Sequence, residues 1–391
     1  MNPVSKLVLA RLVLSLLAAF VAGTAAAQNF TILHSFPCGD ASDGTSPTSS
    51  LVSDSAGNLY GTTSSGGSFE SGTVFKLSPD GTETVLYSFT STFDGQYPKG
   101  NIVRDSDGNL YGTTAGNGHA SGTVFKLTPD GSLTVLHTFH LPPDGSLPYS
   151  GLVQGKQGDL YGATYAGGEF SEGTIFRVST AGDQYTVLHS FKNDDGTRPD
   201  APLVTDSAGN LYGAASRGGT SFDGTIFELD AADTFSVLHS FAGPDEGDTP
   251  LGITRDSAGN IYGVTANGGQ LHCYGCGSVF KIDPAGNETI LYNFKGDRDG
   301  AEPSAPLVED ASGNLYGITS LGGSTRCDYI YGCGTLFQVT QAGRKRTLHI
   351  FTGPDGYDPA EPLLLDHGSL YGTTVSGGEL GCGTIFQYTL Q

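Results

Sequence analysis

The stretch DSAGNLYGTTSSGGSFESGTVFKL, residues 54–77, decides the fold because the rest of the chain repeats it. It contains a turn, a β-branched and aromatic run, a loop with paired glycines, and a second such run, which is the pattern of antiparallel strands joined by turns. Its Leu/Ile-Tyr-Gly triplet returns every 50 to 55 residues. The tyrosines of the seven triplets are Tyr60, Tyr111, Tyr161, Tyr212, Tyr262, Tyr316 and Tyr371. A period of this length indicates a tandem array of structural units.

Each repeat contains four short strands, which we name a to d in chain order. Strand a is a short apolar run such as residues 50–52, strand b holds the Tyr-Gly triplet, and strands c and d resemble residues 72–77 and 84–89. Four antiparallel strands in about 50 residues make one blade of a β-propeller. No helical periodicity follows the first 27 residues. We therefore predict an all-β, seven-bladed β-propeller.

The two ends of the chain predict how the ring closes. Residues 30–36 form a lone strand d, and residues 383–390 form a strand c that no strand d follows. The N-terminal strand should complete the last blade, which removes the sheet edges that an open array exposes. An open solenoid is the alternative, and it would leave both end strands unpaired. Residues 28–391 are thus expected to be a single propeller domain.

Residues 1–27 have the pattern of a secretory signal peptide. Lys6 and Arg11 precede an apolar run over residues 12–22, and the small residues 25–27 suit cleavage before Gln28. No later segment is apolar for long enough to span a bilayer, and the C-terminal strand carries no hydrophobic tail. We expect a secreted or periplasmic protein without a C-terminal anchor.

The charge of the chain restricts its partners. Asp and Glu number 40 against 19 Lys and Arg, for a formal net charge of −21. A field of this sign argues against nucleic acid and anionic lipid as partners. We expect a monomer that carries neither a cofactor nor a metal and whose ligand is a neutral glycan or a protein.

The repeat resembles the GloVer tandem repeat of bacterial "choice-of-anchor" exported proteins. The resemblance rests on Asp-x-x-Gly-Asn-Leu-Tyr-Gly-Thr-Thr, the double glycine and Gly-Thr-Val-Phe-Lys-Leu of residues 54–77, and it covers nearly all of residues 28–391. It implies a secreted repeat protein from a family without an assigned biochemical role. Members usually carry a C-terminal surface anchor, from which this chain departs.

Residues present in every repeat are expected to build the fold. The strand-b tyrosines and the strand-c phenylalanines should pack between blades. One strand-d position alternates between histidine and tyrosine, which favours packing or hydrogen bonding over metal ligation. An Asp-Gly-x-x-Pro segment between strand d and the next strand a is interpreted as a turn; a carboxylate ring around the axial mouth, able to hold a cation, is the alternative. The residues at the strand-d position are His34, Tyr87, His137, His189, His239, Tyr292 and His349.

Six cysteines in an exported chain predict disulfides. Strands c and d of the last blade are antiparallel, so Cys382 should lie beside Cys38. That bridge would close about 345 residues and contribute about 6 kcal/mol in the chain-entropy treatment. A redox motif at residues 273–276 is the alternative, but such a motif normally opens a helix. The remaining predicted pairs are Cys273–Cys276 and Cys327–Cys333.

Function is expected on the face that carries the b–c and d–a loops, because these segments differ most between blades. We expect a non-catalytic binding or scaffold module for a glycan or protein ligand. The alternative is a glycan-active hydrolase or lyase that uses carboxylates or tyrosine at the axial mouth. No serine-hydrolase, zinc-protease or nucleotide-binding motif occurs, so the sequence leaves the choice open. The candidate ligand-binding residues are Tyr97, Tyr149, Tyr165, Asp200, Tyr357 and Glu361.

Overall fold

The computed structural model describes residues 29–39, 43–90, 93–116, 122–140, 142–243, 246–268, 275–327 and 331–390. Over these residues the chain is an all-β propeller of seven blades, as predicted, and each blade is an antiparallel sheet with its strands in the order a to d. The described ranges contain one 3-10 turn, Asp297–Asp299, and no α-helix. The predicted signal peptide, residues 1–27, lies outside the described residues.

Strands c and d keep the same length in blades 1 to 6, five and six residues, and are longer in blade 7, whereas strand b varies from five to eight residues. Strand b spans Leu59–Gly66, Leu110–Thr114, Leu160–Thr164, Leu211–Ala215, Ile261–Asn267, Leu315–Leu321 and Ser369–Thr374 in blades 1 to 7. Strand c spans Thr73–Leu77, Thr123–Leu127, Thr174–Val178, Thr225–Leu229, Ser278–Ile282, Thr335–Val339 and Gly381–Thr389. Strand d spans Glu83–Ser88, Leu133–Thr138, Tyr185–Ser190, Phe235–Ser240, Glu288–Asn293 and Lys345–Ile350 in blades 1 to 6, and Phe30–Pro37 in blade 7.

Strand a is interrupted, which the sequence does not predict. In blade 1, Gly44–Pro47 pairs with the end of strand b and Val52–Ser53 pairs with its start, while the residues between them leave the ladder. The interruption follows the repeat proline, which has no N–H to donate. It frees a few residues per blade near the axis. Strand a spans Val52–Ser53, Pro98–Arg104, Leu152–Gln154, Val204–Thr205, Asp248–Arg255, Val308–Glu309 and Leu364–Asp366, with accessory segments Gly44–Pro47, Gly145–Ser146 and Ala301–Pro303. In blades 2 and 5 it is continuous with a register shift, and Gly145–Ser146 pairs with Ala166–Gly167, which follows strand b of blade 3.

The N-terminal strand closes the ring, as predicted. Phe30–Pro37 pairs with Gly381–Thr389, with Phe30 opposite Tyr388 and Pro37 opposite Gly381. This pairing excludes the open solenoid.

The predicted disulfides are formed wherever the structure describes both partners. Cys38 is bonded to Cys382, with Cα atoms 5.2 Å apart, and Cys327 is bonded to Cys333. Cys276 is also in a disulfide, but its predicted partner Cys273 lies outside the described residues.

Aromatic side chains pack between blades in the core, as predicted, together with Leu, Ile and Val side chains. The seven strand-c phenylalanines are fully buried. The glycine of each Tyr-Gly triplet makes room for this ring: a Cβ on Gly112 would lie 2.6 Å from Cζ of Phe125. The triplet tyrosine also fixes the a–b turn, since the Tyr60 hydroxyl donates to Asp54 Oδ2 at 2.9 Å. The buried phenylalanines are Phe75, Phe125, Phe176, Phe227, Phe280, Phe337 and Phe386.

The Asp-Gly-x-x-Pro carboxylates contact strand d and do not surround the axis. His137 Nε2 lies 3.0 Å from Asp144 Oδ2, and the His137 ring stacks on Tyr185 of the next blade with centroids 3.6 Å apart. The same carboxylate accepts the His140 backbone N–H at 3.0 Å. The turn interpretation is therefore confirmed, and the alternative of a cation-binding ring at the axial mouth is wrong for these aspartates.

Candidate functional site: the axial cavity

The blades enclose an axial cavity of about 240 Å³ where the d–a segments enter strand a. Its wall consists of residues that follow the repeat proline in blades 2 to 7, where strand a is broken or shifts register. The position directly after the repeat proline differs in every blade, so the cavity has no repeat symmetry. In blades 2 to 7 this position holds Lys99, Tyr149, Asp200, Leu251, Ser304 and Ala360, all in the wall.

Hydrogen bonds between neighbouring blades hold this wall in place. The Thr48 hydroxyl of blade 1 donates to the Pro98 carbonyl of blade 2 at 3.1 Å, and the Gly100 N–H donates back to the Thr48 carbonyl at 3.2 Å. The Ser304 hydroxyl donates in the same way to the Pro359 carbonyl at 3.1 Å. The wall is thus built on a fixed ring of backbone.

Two buried oxygens in the wall are left for a ligand. Oδ1 of Asp200 and Oδ1 of Asn101 have no hydrogen-bond partner within the described part of the chain, and both residues line the cavity. A buried polar group without a partner costs about 1–3 kcal/mol.

The two acids of the wall have raised pKa values. Burial raises the pKa of Glu361 to about 7, against the opposing charge of Lys99 and with a further rise from Asp358. Burial likewise raises the pKa of Asp200 to about 6, and Lys99 and Arg198 oppose the rise. Near neutral pH these carboxyls therefore exist in both protonation states, and each can donate or accept a hydrogen bond.

Cations and aromatic rings alternate along one side of the cavity. Nζ of Lys99 lies 4.6 Å from the Tyr149 ring centroid, the Tyr149 and Tyr165 centroids are 5.5 Å apart, and Cζ of Arg198 lies 5.4 Å from the Tyr165 centroid. Cation–π attraction orients each of these groups. The cavity edge thus combines positive and negative charge within a strongly acidic protein.

The structure brings three of the six candidate residues into one site. Tyr149, Asp200 and Glu361 line the cavity, and Tyr165 lies behind Tyr149. Tyr97 is outside the wall and is 40% exposed.

The separation of the tyrosines has a backbone cause. Tyr97 precedes the repeat proline with φ 55°, whereas Tyr149 follows the proline of its own blade and lies in the wall. Tyr357 packs half-buried against the hydrophobic cluster of blades 6 and 7. Neither Tyr97 nor Tyr357 is brought to the cavity. The left-handed residue before the proline recurs in all seven blades, as Ser46, Tyr97, Leu147, Arg198, Thr249, Glu302 and Asp358.

Sequence reasoning missed Lys99, Asn101 and Arg198. A signal for Lys99 was present, because it occupies the one variable position that follows the repeat proline. Asn101 and Arg198 lie at flanking positions whose role depends on the interrupted strand, so no signal in a single blade marks them.

A second groove lies on the opposite face, between blades 1 and 2. It encloses about 600 Å³ and is lined by repeat residues such as Tyr60, Arg104 and Pro129. Its contacts recur elsewhere in the ring: Arg104 lies over the Tyr60 ring as Arg255 lies over the Tyr212 ring. The axial cavity, whose wall is unique, is the better candidate.

The comparisons with known proteins agree with this architecture. A family model described as the Gloeobacter/Verrucomicrobia repeat matches residues 19–158, 119–331 and 255–391. The match confirms the resemblance seen in the repeat motif. No curated protein matches the chain.

Several solved structures are similar in fold. Virginiamycin B lyase from Staphylococcus aureus is 14% identical with a TM-score of 0.62, over 93% of this chain and 100% of that one. The extracellular domain of the hybrid two-component system BT3049 from B. thetaiotaomicron is 14% identical with a TM-score of 0.57, over 92% of this chain and 41% of that one. A puromycin-hydrolyzing peptidase from Mycobacterium tuberculosis is 12% identical with a TM-score of 0.55, over 87% of this chain and 52% of that one. At these identities the similarity shows the fold alone.

Within the described ranges, no helix has the length and hydropathy that crossing a bilayer requires.

Proposed function

The chain belongs to the Gloeobacter/Verrucomicrobia repeat family, and we propose that it is an exported binding module that holds the polar end of a neutral glycan or protein ligand in the axial cavity. The observation that carries the proposal is the pair of partnerless oxygens on Asp200 and Asn101, which lie in a wall shared with Tyr149. A ligand end with several donors, such as a sugar ring or a side-chain amide, would donate hydrogen bonds to these residues, and the Tyr149 ring would cover its apolar side.

The size of the cavity favours the end of a ligand over its middle. Pockets for drug-sized molecules typically enclose about 300–1,000 Å³, and this cavity encloses about 240 Å³. One sugar ring or one side chain fits that volume. The wall is fixed before binding, so little conformational entropy is lost when the ligand enters.

The cysteines support an exported location. Cys38–Cys382 and Cys327–Cys333 are bonded, and disulfides persist in the periplasm and outside the cell. We propose that residues 1–27 direct the chain there and are removed.

A hydrolase or lyase acting on a glycan is the second candidate. It is favoured by the carboxyls of Glu361 and Asp200, whose pKa values of about 7 and about 6 suit proton transfer near neutral pH. Lys99 lies close enough to lower both values, so it could also stabilise negative charge on a reacting group.

A binding and cleavage screen tests both candidates. Purified protein would be applied to arrays of neutral, amino-substituted and uronate oligosaccharides and of short peptides, with binding and turnover scored separately. We expect binding to neutral glycan ends or to peptides. Tyr149→Ala, and Asp200→Asn combined with Glu361→Gln, should each weaken it at least tenfold, because they remove the aromatic cover and the acidic partners. Turnover that the double variant abolishes would favour the enzyme.

Two control variants distinguish the cavity from other surfaces. Phe222→Ala removes an aromatic side chain that is 63% exposed on a b–c loop of the same face, and Asn210→Ala alters an a–b turn on the opposite face. Both should bind like the wild type. Loss of binding in either folded control, with binding retained in the double variant, would place the site elsewhere.

A further inference from the structure

Three potential metal ligands from two blades meet at the outer side of the ring. His239 lies in strand d of blade 4, Glu246 in the following d–a loop, and Glu288 at the start of strand d in blade 5. One ligand atom from each lies within 4.8 Å of the others. His239 Nε2 is 3.6 Å from Glu288 Oε2 and 3.9 Å from Glu246 Oε2.

These distances are too long for hydrogen bonds and close to the spacing of ligands around one ion. Two ligands at about 2.0 Å from a tetrahedral Zn²⁺ are about 3.3 Å apart. Side-chain movements of a few tenths of an ångström would thus bring all three atoms into coordination distance.

The cluster also contains buried atoms without partners. The Glu288 side chain is 9% exposed, and its Oε1 has no hydrogen-bond partner among the residues that the structure describes; the same is true of His239 Nε2.

At two other blade interfaces the residue at this strand-d position has a partner without an ion. The Tyr292 hydroxyl donates to Asp299 at 3.0 Å, and His349 Nε2 lies 2.7 Å from Asp355. Between blades 4 and 5 the aspartate is replaced by the longer Glu246, and the next strand d supplies a second acid. Among the described residues, His239, Glu246 and Glu288 are the group in which an imidazole and two carboxylates bring ligand atoms within 4.8 Å of one another.

We propose that His239, Glu246 and Glu288 bind one divalent transition-metal ion, with Zn²⁺ the best match, and that the ion clasps blade 4 to blade 5. One imidazole and two carboxylates are ordinary Zn²⁺ ligands and leave the fourth position for water. Ca²⁺ and Mg²⁺ prefer more oxygen ligands than the cluster offers. The alternation of histidine and tyrosine predicts a packing or hydrogen-bonding role at this strand-d position. In this proposal His239 keeps that role and also binds the metal ion.

Zinc titration of the full chain tests the clasp. After treatment with a chelator, the protein would be titrated with ZnCl₂ by calorimetry and its Tm measured with and without the metal. We expect one Zn²⁺ per chain with micromolar affinity and a higher Tm with the metal. Glu288→Gln and His239→Tyr should each weaken binding at least tenfold. Because tyrosine occupies the equivalent position in two other blades, His239→Tyr keeps the packing and decides the question if Glu288→Gln does not fold.

Glu83→Gln is the matched control. Glu83 begins strand d of blade 1 beside His34 and Asp43, with its pKa raised to about 7 by burial and by Asp43. This variant should bind Zn²⁺ like the wild type. The proposal is overturned if the wild type takes up no stoichiometric Zn²⁺, if uptake survives His239→Tyr, or if uptake is lost in Glu83→Gln.

Discussion

At the scale of single residues, Glu361 shows how the axial cavity departs from the repeat. The equivalent residue in blade 2 is Gly100 and in blade 3 is Ser150, so an acid here serves no need of the common blade. Burial disfavours the ionised form of the Glu361 carboxyl group, and the charge of Lys99 offsets only part of that penalty. A destabilising residue on a symmetric scaffold is expected where function has displaced packing.

Replacing Glu361 with glutamine should change the pH dependence of stability. The pKa of about 7 in the folded protein, raised from 4.5, means that the unfolded chain loses this proton first. The free energy of unfolding therefore falls as pH rises from about 4.5 to about 7. Glu361→Gln removes that loss, so its Tm relative to the wild type should rise across the window, by the equivalent of about 3 kcal/mol.

Thermal denaturation at several pH values between 4 and 8 measures this difference. Glu379→Gln, at an exposed loop position, is the control and should run parallel to the wild type. An offset between Glu361→Gln and the wild type that is the same at pH 4 and pH 8 would contradict the assigned environment of Glu361.

The site is predictable from the sequence only in part. Asp200 and Glu361 could be found because they are acids at positions where other blades have none. Tyr97 and Tyr149 are both tyrosines next to a repeat proline, but Tyr97 precedes its proline and Tyr149 follows its own. The left-handed backbone before the proline keeps Tyr97 out of the cavity wall. Lys99 was not predicted, because the strongly negative net charge of the chain favoured acids and tyrosines as candidate residues.

At the scale of strands, the close contact between strands b and c explains the glycine of each triplet. Gly112 faces Phe125, and the space that a Cβ would need is occupied by the ring. The strands themselves were predictable from alternation and turns. The interruption of strand a was not predicted, although it follows the repeat proline, whose missing N–H is visible in the sequence.

Gly112→Ala should lower the free energy of unfolding by about 1–3 kcal/mol, the usual cost of overpacking a core. Phe125→Leu removes the ring atoms that the new methyl group meets. The double variant should therefore lose less free energy of unfolding than the two single variants lose together. Chemical denaturation of the four proteins measures the coupling, and fully additive losses would show that the methyl group does not meet the ring.

At the scale of the whole molecule, the ring closes at the pairing of Phe30–Pro37 with Gly381–Thr389, and the Cys38–Cys382 disulfide reinforces this closure. Seven equal repeats with orphan strands at the two ends predicted both the blade number and the closure. The contact between His239, Glu246 and Glu288 was not predictable in this way, because Glu246 replaces the repeat aspartate and Glu288 lies at a strand-d position that varies between blades.

Removal of the Cys38–Cys382 bridge should destabilise the domain more than removal of Cys327–Cys333. The first spans a sequence separation of 344 and the second one of 6, and in the chain-entropy treatment the longer loop contributes about 3 kcal/mol more. Paired Cys→Ser variants compared by Tm under non-reducing conditions measure the difference. Equal losses would mean that strand pairing alone determines closure.

The pairing of Phe30–Pro37 with Gly381–Thr389 also imposes an order in time. Phe30 must wait for Tyr388, which at typical rates of translation leaves the ribosome roughly 20 to 70 s later. During that interval the outer strand of blade 7 has no partner strand, even if the other blades have already folded. For a chain exported as we propose, the first strand made is the last to be placed, so the finished ring forms only after the final residues have been delivered.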